Sequence, residues 1–357
     1  MRIAPSVALA TLLSPFALLP RGPMSPSEAQ PTVQQQTQPQ QAAGPSILRL
    51  DPALDHLIAP GTVPQPLAGG FKFTEGPMWH HGRLWFVDEE GDKIHAVTAD
   101  GVVSTLVDYQ HGPYALPGGA KTGPNAMATA PDGTVVAMQQ YARDVVHLTE
   151  DPGNAAVPVK QTPFFDNYNG KHLNSPNDIV FAPDGSFYFT DPPYGLKGRD
   201  QDPAKQLPYN AVFHYKNGHL TPVVTDLTLP NGIGLSPDNK TLYVNNSGPD
   251  QRVIAYPLQT DGSVGPGRNV ITFTGQEGHG VPDGLKVDSQ GHIWSTGPGG
   301  IRILTPQGKV LGQIHLPETA ANLAWGDADG QTLYITASSH VYKLRALLPG
   351  NLPIFRR

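Results

Sequence analysis

Six short stretches of this chain each begin with a side chain that can offer an oxygen and then turn apolar. They are Glu75-Gly76-Pro77-Met78-Trp79, Asn125-Ala126-Met127, Asn177-Asp178-Ile179, Asn231-Gly232-Ile233, Asp283-Gly284-Leu285 and Asn322-Leu323-Ala324-Trp325. Brought together, two carboxylates and four amides form an oxygen-only donor set, the kind a hard cation takes. Ca2+ is the first expectation, and Mg2+, Zn2+ or Mn2+ can be accommodated. The two negative charges repel each other unless a cation or a proton lies between them. A divalent cation with open positions polarises a carbonyl and lowers the pKa of bound water, which suits ester or lactone hydrolysis. A single Asn or Asp at such a place is an ordinary turn residue. Glu75 is a poor turn former, so six in register ask for more than turns.

The elements that must position these residues are short hairpins. Leu173–Gly195 shows one unit: the apolar runs Ile179–Ala182 and Phe187–Thr190 are joined by Pro183-Asp184-Gly185, turn chemistry typical of a hairpin. The six openers stand 50, 52, 54, 52 and 39 residues apart. A period near fifty with several short strands per repeat is the signature of a β-propeller. In the third repeat a second pair of runs, Ala211–Tyr215 and His219–Thr225, flanks Asn217-Gly218. The expectation is an all-β, six-bladed β-propeller with four-stranded antiparallel blades, the openers ringing one mouth of its channel. The last repeat stops after its third strand, and Leu54–Ile58 is expected to supply the missing outer strand, since an unclosed ring leaves unpaired edges.

Composition fits this reading. Gly 39 and Pro 38 favour turns over long helices. A net charge of −6 and no cluster of Lys and Arg argue against nucleic acid as a partner. With no cysteine, disulfides, thiolate nucleophiles and Cys-based zinc sites are excluded. Arg2 followed by the mostly apolar Ile3–Leu19 reads as a signal peptide, with an uncleaved N-terminal hydrophobic anchor as the alternative, so residues 1–29 are assigned to export, periplasmic or secreted, with no stable membrane span after cleavage. Residues 30–49, rich in Gln and Pro, read as a disordered linker, and 50–357 as the propeller.

Within this frame the sequence resembles the sugar-lactonase family of gluconolactonases and regucalcin, above all its bacterial gluconolactonase branch. The residues that carry the resemblance are Phe73-Thr74-Glu75-Gly76-Pro77, Asn174-Ser175-Pro176-Asn177-Asp178, Phe189-Thr190-Asp191-Pro192-Pro193-Tyr194-Gly195, Leu229-Pro230-Asn231-Gly232, Val281-Pro282-Asp283-Gly284 and Leu333-Tyr334-Ile335-Thr336-Ala337. The resemblance implies one catalytic divalent metal in the channel, held by Glu75, Asn231 and Asp283, with Asn177 contacting substrate or the metal's solvent shell. Regucalcin has an Arg at the place of Ser175, so its substrate preference does not carry over. The implied activity is hydrolysis of a sugar lactone of the glucono-1,5-lactone type to the aldonic acid, through a metal-polarised carbonyl and metal-activated water. Asp283 would be ligand and base, and Asn125 and Asn177 would hydrogen-bond sugar hydroxyls. A broader lactonase or arylesterase on the same metal, or a non-catalytic calcium-binding propeller, are the alternatives.

Three histidines, His111, His172 and His279, precede openers and are candidates for a base on the active face, His172 and His279 by their proximity. Asp191 ends a strand at the same mouth, and Tyr194 begins a long polar connection to about Asn210, a length typical of lids. Ser175, Asp191, Tyr194, His172 and His279 therefore join Asn125 and Asn177 as candidate substrate-binding residues. Trp79, Trp85, Trp294 and Trp325 are expected to pack between blades. The sequence sets no oligomeric state.

Overall fold

The innermost strands start where the openers stand, and the rest of each blade follows from them. The computed structural model describes residues 44–149, 160–275 and 278–352. It is an all-β, six-bladed propeller built of four-stranded antiparallel sheets. Blade 3, for example, runs outward from Ile179–Phe181 through Phe187–Asp191 and Ala211–Lys216 to His219–Val224. The Asn217-Gly218 turn between its outer strands takes positive φ at both residues, 51° and 82°, as a two-residue hairpin loop of matching twist requires.

Ring closure differs from the expectation. Leu54–Ile58 is not a strand: Pro52–His56 is a 3-10 helix capped by the Asp51 carboxylate on the Ala53 N–H. Its spacing explains this, because Leu54, Leu57 and Ile58 recur at helical intervals and all three bury against Trp294, Ile303 and Leu344. The closing strand is Gln65–Gly69, paired antiparallel with His340–Arg345 of blade 6. Ser46–Arg49, within the stretch read as linker, pairs with Val310–His315 and makes a fifth strand of blade 5. The remaining linker residues up to 43 and the export segment lie outside the described residues. Among the described residues no helix is long and apolar enough to cross a membrane.

The tryptophans pack between blades as expected. Trp85 buries against Met127, Ala137 and Val146 of blade 2. Trp79 stacks on Tyr334 of blade 6 at 5.4 Å, and Trp294 of blade 5 meets Trp325 of blade 6 edge-on at 5.2 Å. Such aromatic pairs add to area burial by roughly 0.5–1.5 kcal/mol each.

Two local devices aim the openers inward. Inner strands of blades 1, 2, 4 and 6 shift register at the opener, between Glu75 and Met78, Pro124 and Met127, Pro230 and Ile233, and Ala320 and Asn322. A bulge of this kind re-aims the side chain it carries. Neighbouring openers also touch through backbone: Gly232 N–H donates to the Asp283 carbonyl at 2.9 Å, and a Cβ at residue 232 would lie 2.1 Å from that oxygen. The residue after Asn231 is therefore required to be glycine.

Candidate active site

Second strands end beside the openers, and their last side chains fix the approach of the chain to each. Asp191, at the end of Phe187–Asp191, accepts the N–H groups of Asn174 and Ser175 at 2.8 and 2.6 Å. Asp88 in blade 1 accepts Phe73 N–H at 2.9 Å, and Asn246 in blade 4 accepts Leu229 N–H at 2.8 Å. In all three blades the tethered residue stands two before the opener. Asp191 is fully buried and does not line the cavity; burial pushes it up to about 7, against the pull of those two N–H donors. Ser175 is likewise fully buried, its Oγ accepting Gly195 N–H at 2.8 Å. Both expected substrate contacts are positioning residues instead.

The cavity these tethers shape has a volume of about 260 Å³. Glu75, Asn125, Asn177, Asn231, Asp283 and Tyr194 all line it, as the sequence suggests. Asn322 does not. Its Oδ1 accepts Leu323 N–H at 2.8 Å and Lys286 Nζ at 3.3 Å, and its Nδ2 donates to Glu75 Oε2 at 3.0 Å. The sixth opener therefore orients Glu75 and offers no oxygen.

Sequence reasoning missed one wall altogether. Glu89, one residue past the first blade's second strand, accepts Asn125 Nδ2 at 3.1 Å, Gln140 Nε2 at 2.7 Å and the Tyr141 hydroxyl at 3.1 Å. Gln140 Oε1 accepts Asn177 Nδ2 at 3.1 Å. Blades 1, 2 and 3 are thus joined across the mouth by one buried network, satisfied in the way such networks must be. Phe73, Val281 and Arg199 complete the lining. No histidine lines the cavity among the described residues. His111 is largely exposed beside Asp108, His172 sits in an exposed outer hairpin pairing with Asn167, and His279 is exposed. The histidine-base expectation has no support in this geometry.

Charge is concentrated at the ring. Burial first, then Asp283 and Asp178, raises Glu75 well above the usual carboxylate range, with Gly76 N–H and Asn322 opposing. Burial first, then Glu89 and Asp178, pushes Asp283 up to about 8. Glu89 rises to about 7, chiefly by burial. Lys286 Nζ pairs with Asp178 Oδ2 at 3.1 Å just below the ring and offsets part of the charge that acts on Asp283.

Among the described residues no three His, Cys, Asp or Glu side chains come together as a metal-binding group. The donor set here is of another kind, two carboxylates with amide oxygens. Asn177 has its Nδ2 on Gln140, and Asn231 has its Nδ2 on Ser247 Oγ at 3.1 Å and Tyr194 Oη at 3.3 Å. Those orientations leave each Oδ1 as the group available to a cation. Two acids raised chiefly by burial and then by neighbouring carboxylates, flanked by such amides, fit a hard divalent ion.

Residues 73–339 match the family described as the SMP-30/Gluconolactonase/LRE-like region. The chain belongs to this family. Among relatives of the SMP-30/gluconolactonase family, the gluconolactonase of Zymomonas mobilis is 33% identical over 312 residues, covering 84% of this chain and 85% of that one. The pentonolactonase XacC of Haloferax volcanii is 26% identical over 287 residues, 78% of this chain and 85% of its own. Of solved structures, a gluconolactonase of Xanthomonas campestris superposes with a TM-score of 0.72 at 26% identity, over 87% of this chain and 99% of that chain. The motifs at Glu75, Asn177, Asn231 and Asp283 all lie inside the matched residues of the family.

Proposed function

We propose that this protein hydrolyses a sugar lactone of the glucono-1,5-lactone type to the free aldonic acid, and that it does so outside the cytoplasm. The observation that carries the reading is the convergence of Glu75, Asn177, Asn231 and Asp283 on one polar cavity in a chain of this family. Gluconolactonases and a pentonolactonase among its relatives support the substrate class. Export rests on the apolar segment that follows Arg2.

Glu75, Asn231 and Asp283, with Asn177 beside them, would hold one divalent cation, Ca2+ first. When bound, that ion supplies Lewis acidity toward the lactone carbonyl. Asp283 accepts the proton of the attacking water at a carboxylate oxygen, since its side chain lines the cavity. Asn125 and Asn177, held by Glu89 and Gln140, bind hydroxyls of the sugar ring. Asn322 holds Glu75 in place from behind. Burial of this wall keeps the hydrogen bonds in a low-dielectric setting, where they orient strongly.

The test is acid release from glucono-1,5-lactone by protein supplied with Ca2+, with and without chelator. Cation-stimulated release that the chelator abolishes is the expected result. Ca2+ binding at the ring without any turnover across a lactone panel would favour a non-catalytic binding propeller.

A further inference from the structure

The connection from Tyr194 to Asn210 has the length of a lid but the construction of a fixed rim. Leu196 and Leu207 bury, Leu196 N–H donates to Pro193 O, and Arg199 N–H donates to Leu196 O at 3.0 Å. Asp202 accepts Gly198 N–H at 2.8 Å and Ala204 N–H at 2.9 Å. Arg143 Nη1 reaches the Ala204 carbonyl at 3.1 Å.

Within this pinned rim Arg199 adopts φ 52°, left-handed backbone that a non-glycine residue rarely takes. Such conformations persist where the surroundings over-determine them and recur at binding clamps. Its guanidinium lies over the Tyr194 ring, 4.7 Å from the centroid. Tyr194 itself is fixed from the other side by Asn231 at 3.3 Å. Arg199 is the one cationic side chain among the described residues that line the cavity, whose walls otherwise carry Glu75, Glu89 and Asp283. It pairs with none of these acids. The neighbouring Asp200 is engaged by Asn210 Nδ2 at 2.9 Å. One face of the guanidinium is therefore spent on tyrosine, while its N–H edges are left for a ligand.

We infer that Arg199, stacked on Tyr194, is the specificity-determining residue of the cavity mouth and selects lactones whose ring carries adjacent hydroxyls. The planar fork of donors matches adjacent hydroxyl oxygens, whereas an unsubstituted lactone ring offers it nothing. A site built to hydrogen-bond substrate oxygens discriminates against analogues that lack them, because its donors are then left without partners. This inference rests on the lactonase reading above.

The experiment compares steady-state hydrolysis of glucono-1,5-lactone and of δ-valerolactone by wild type, Arg199→Gly and Arg199→Lys, with melting temperatures alongside. Glycine removes the guanidinium and also relieves the left-handed backbone. The expected result is that the ratio of kcat/KM for the two lactones falls about tenfold in Arg199→Gly, mainly through KM for glucono-1,5-lactone. The melting temperature should hold or rise, and Arg199→Lys should fall between. An unchanged ratio, or equal losses on both lactones with a lowered melting temperature, would overturn the inference and leave lactone hydrolysis standing. Wild-type protein that turns over neither lactone would overturn the functional reading and this inference together.

Discussion

Two cavities of the same volume, about 260 Å³ each, open at opposite ends of the same six inner strands. The end at the openers is lined by three carboxylates, four amides, a tyrosine pair and Arg199. At the far end, Pro77, Met78, Met127, Ile179, Phe181, Ile233 and Leu235 make a hollow without carboxylates among the described residues, apolar along the strands and joined by Thr129, Asn239 and Asn351. Size does not separate them; the difference lies in what each strand carries at its start and at its finish. Openers sit on bulges and pre-strand turns that aim polar side chains inward, while further along the strands alternation delivers apolar ones. Lys286 joins the two ends: it lines the apolar hollow, yet its Nζ reaches Asp178 and Asn322 below the ring.

The sharpest way to break this comparison is to disable the polar end. Asp283→Asn should lower kcat/KM for glucono-1,5-lactone by roughly a thousandfold and reduce bound divalent cation, measured by steady-state assay and metal analysis. Full activity in that variant would place the chemistry elsewhere.

Severing the join comes next. Lys286→Met leaves Asp178 buried without its cation and should cost about 3 kcal/mol in denaturant unfolding. It also frees Asn322 from Lys286, so divalent-cation affinity by calorimetric titration should fall as well. Unchanged affinity would mean that Asn322 holds Glu75 without help from below.

Trimming the apolar end should separate stability from activity. Met78→Ala is expected to cost about 2–3 kcal/mol in unfolding, with kcat/KM for the lactone close to wild type. A large loss of kcat/KM at unchanged stability would show that the two ends are not independent.

The smallest effect is on pH dependence. Asp283 and Glu89 have folded pKa values of about 8 and about 7, above their ordinary values. Between the two ranges the folded state holds protons that the unfolded state has released, so stability falls as pH rises. Cation-free protein should therefore lose stability between about pH 6 and 7.5, read as a drop in melting temperature. Adding Ca2+ should flatten that slope, because the cation favours the ionised ring. A slope of the opposite sign would show that these acids are ionised in the fold without a cation.

Much of this architecture is legible in the chain. Polar openers spaced near fifty residues, each followed by apolar alternation, specify repeated hairpins and bring Glu75, Asn125, Asn177, Asn231 and Asp283 to one mouth. Closure was not legible in the same way. Leu54, Leu57 and Ile58 carry a helical spacing rather than a strand's alternation, and the short Gln65–Gly69 has no strong alternation of its own. Asp191 ends a strand at the mouth, which suggests a substrate contact, whereas its carboxylate is consumed by two N–H groups two and three residues before the opener. Asp88 does the same work from an unremarkable motif, so motif strength did not track proximity to the cavity.

By itself the sequence determined the period, the blade count, the oxygen donors at the openers and the exclusion of thiol chemistry, because each depends on residue type and spacing along the chain. Only the tertiary structure decided which donors remain open. Glu89, Gln140, Tyr141 and Arg199 reach the cavity from separate loops, and Asn322 turns its oxygen away toward Lys286. Those outcomes depend on which blade ends up beside which, and on hydrogen bonds between residues as far apart as 75 and 322. Linear spacing holds no record of such distances, so the ring could be read from the chain but its wall and rim could not.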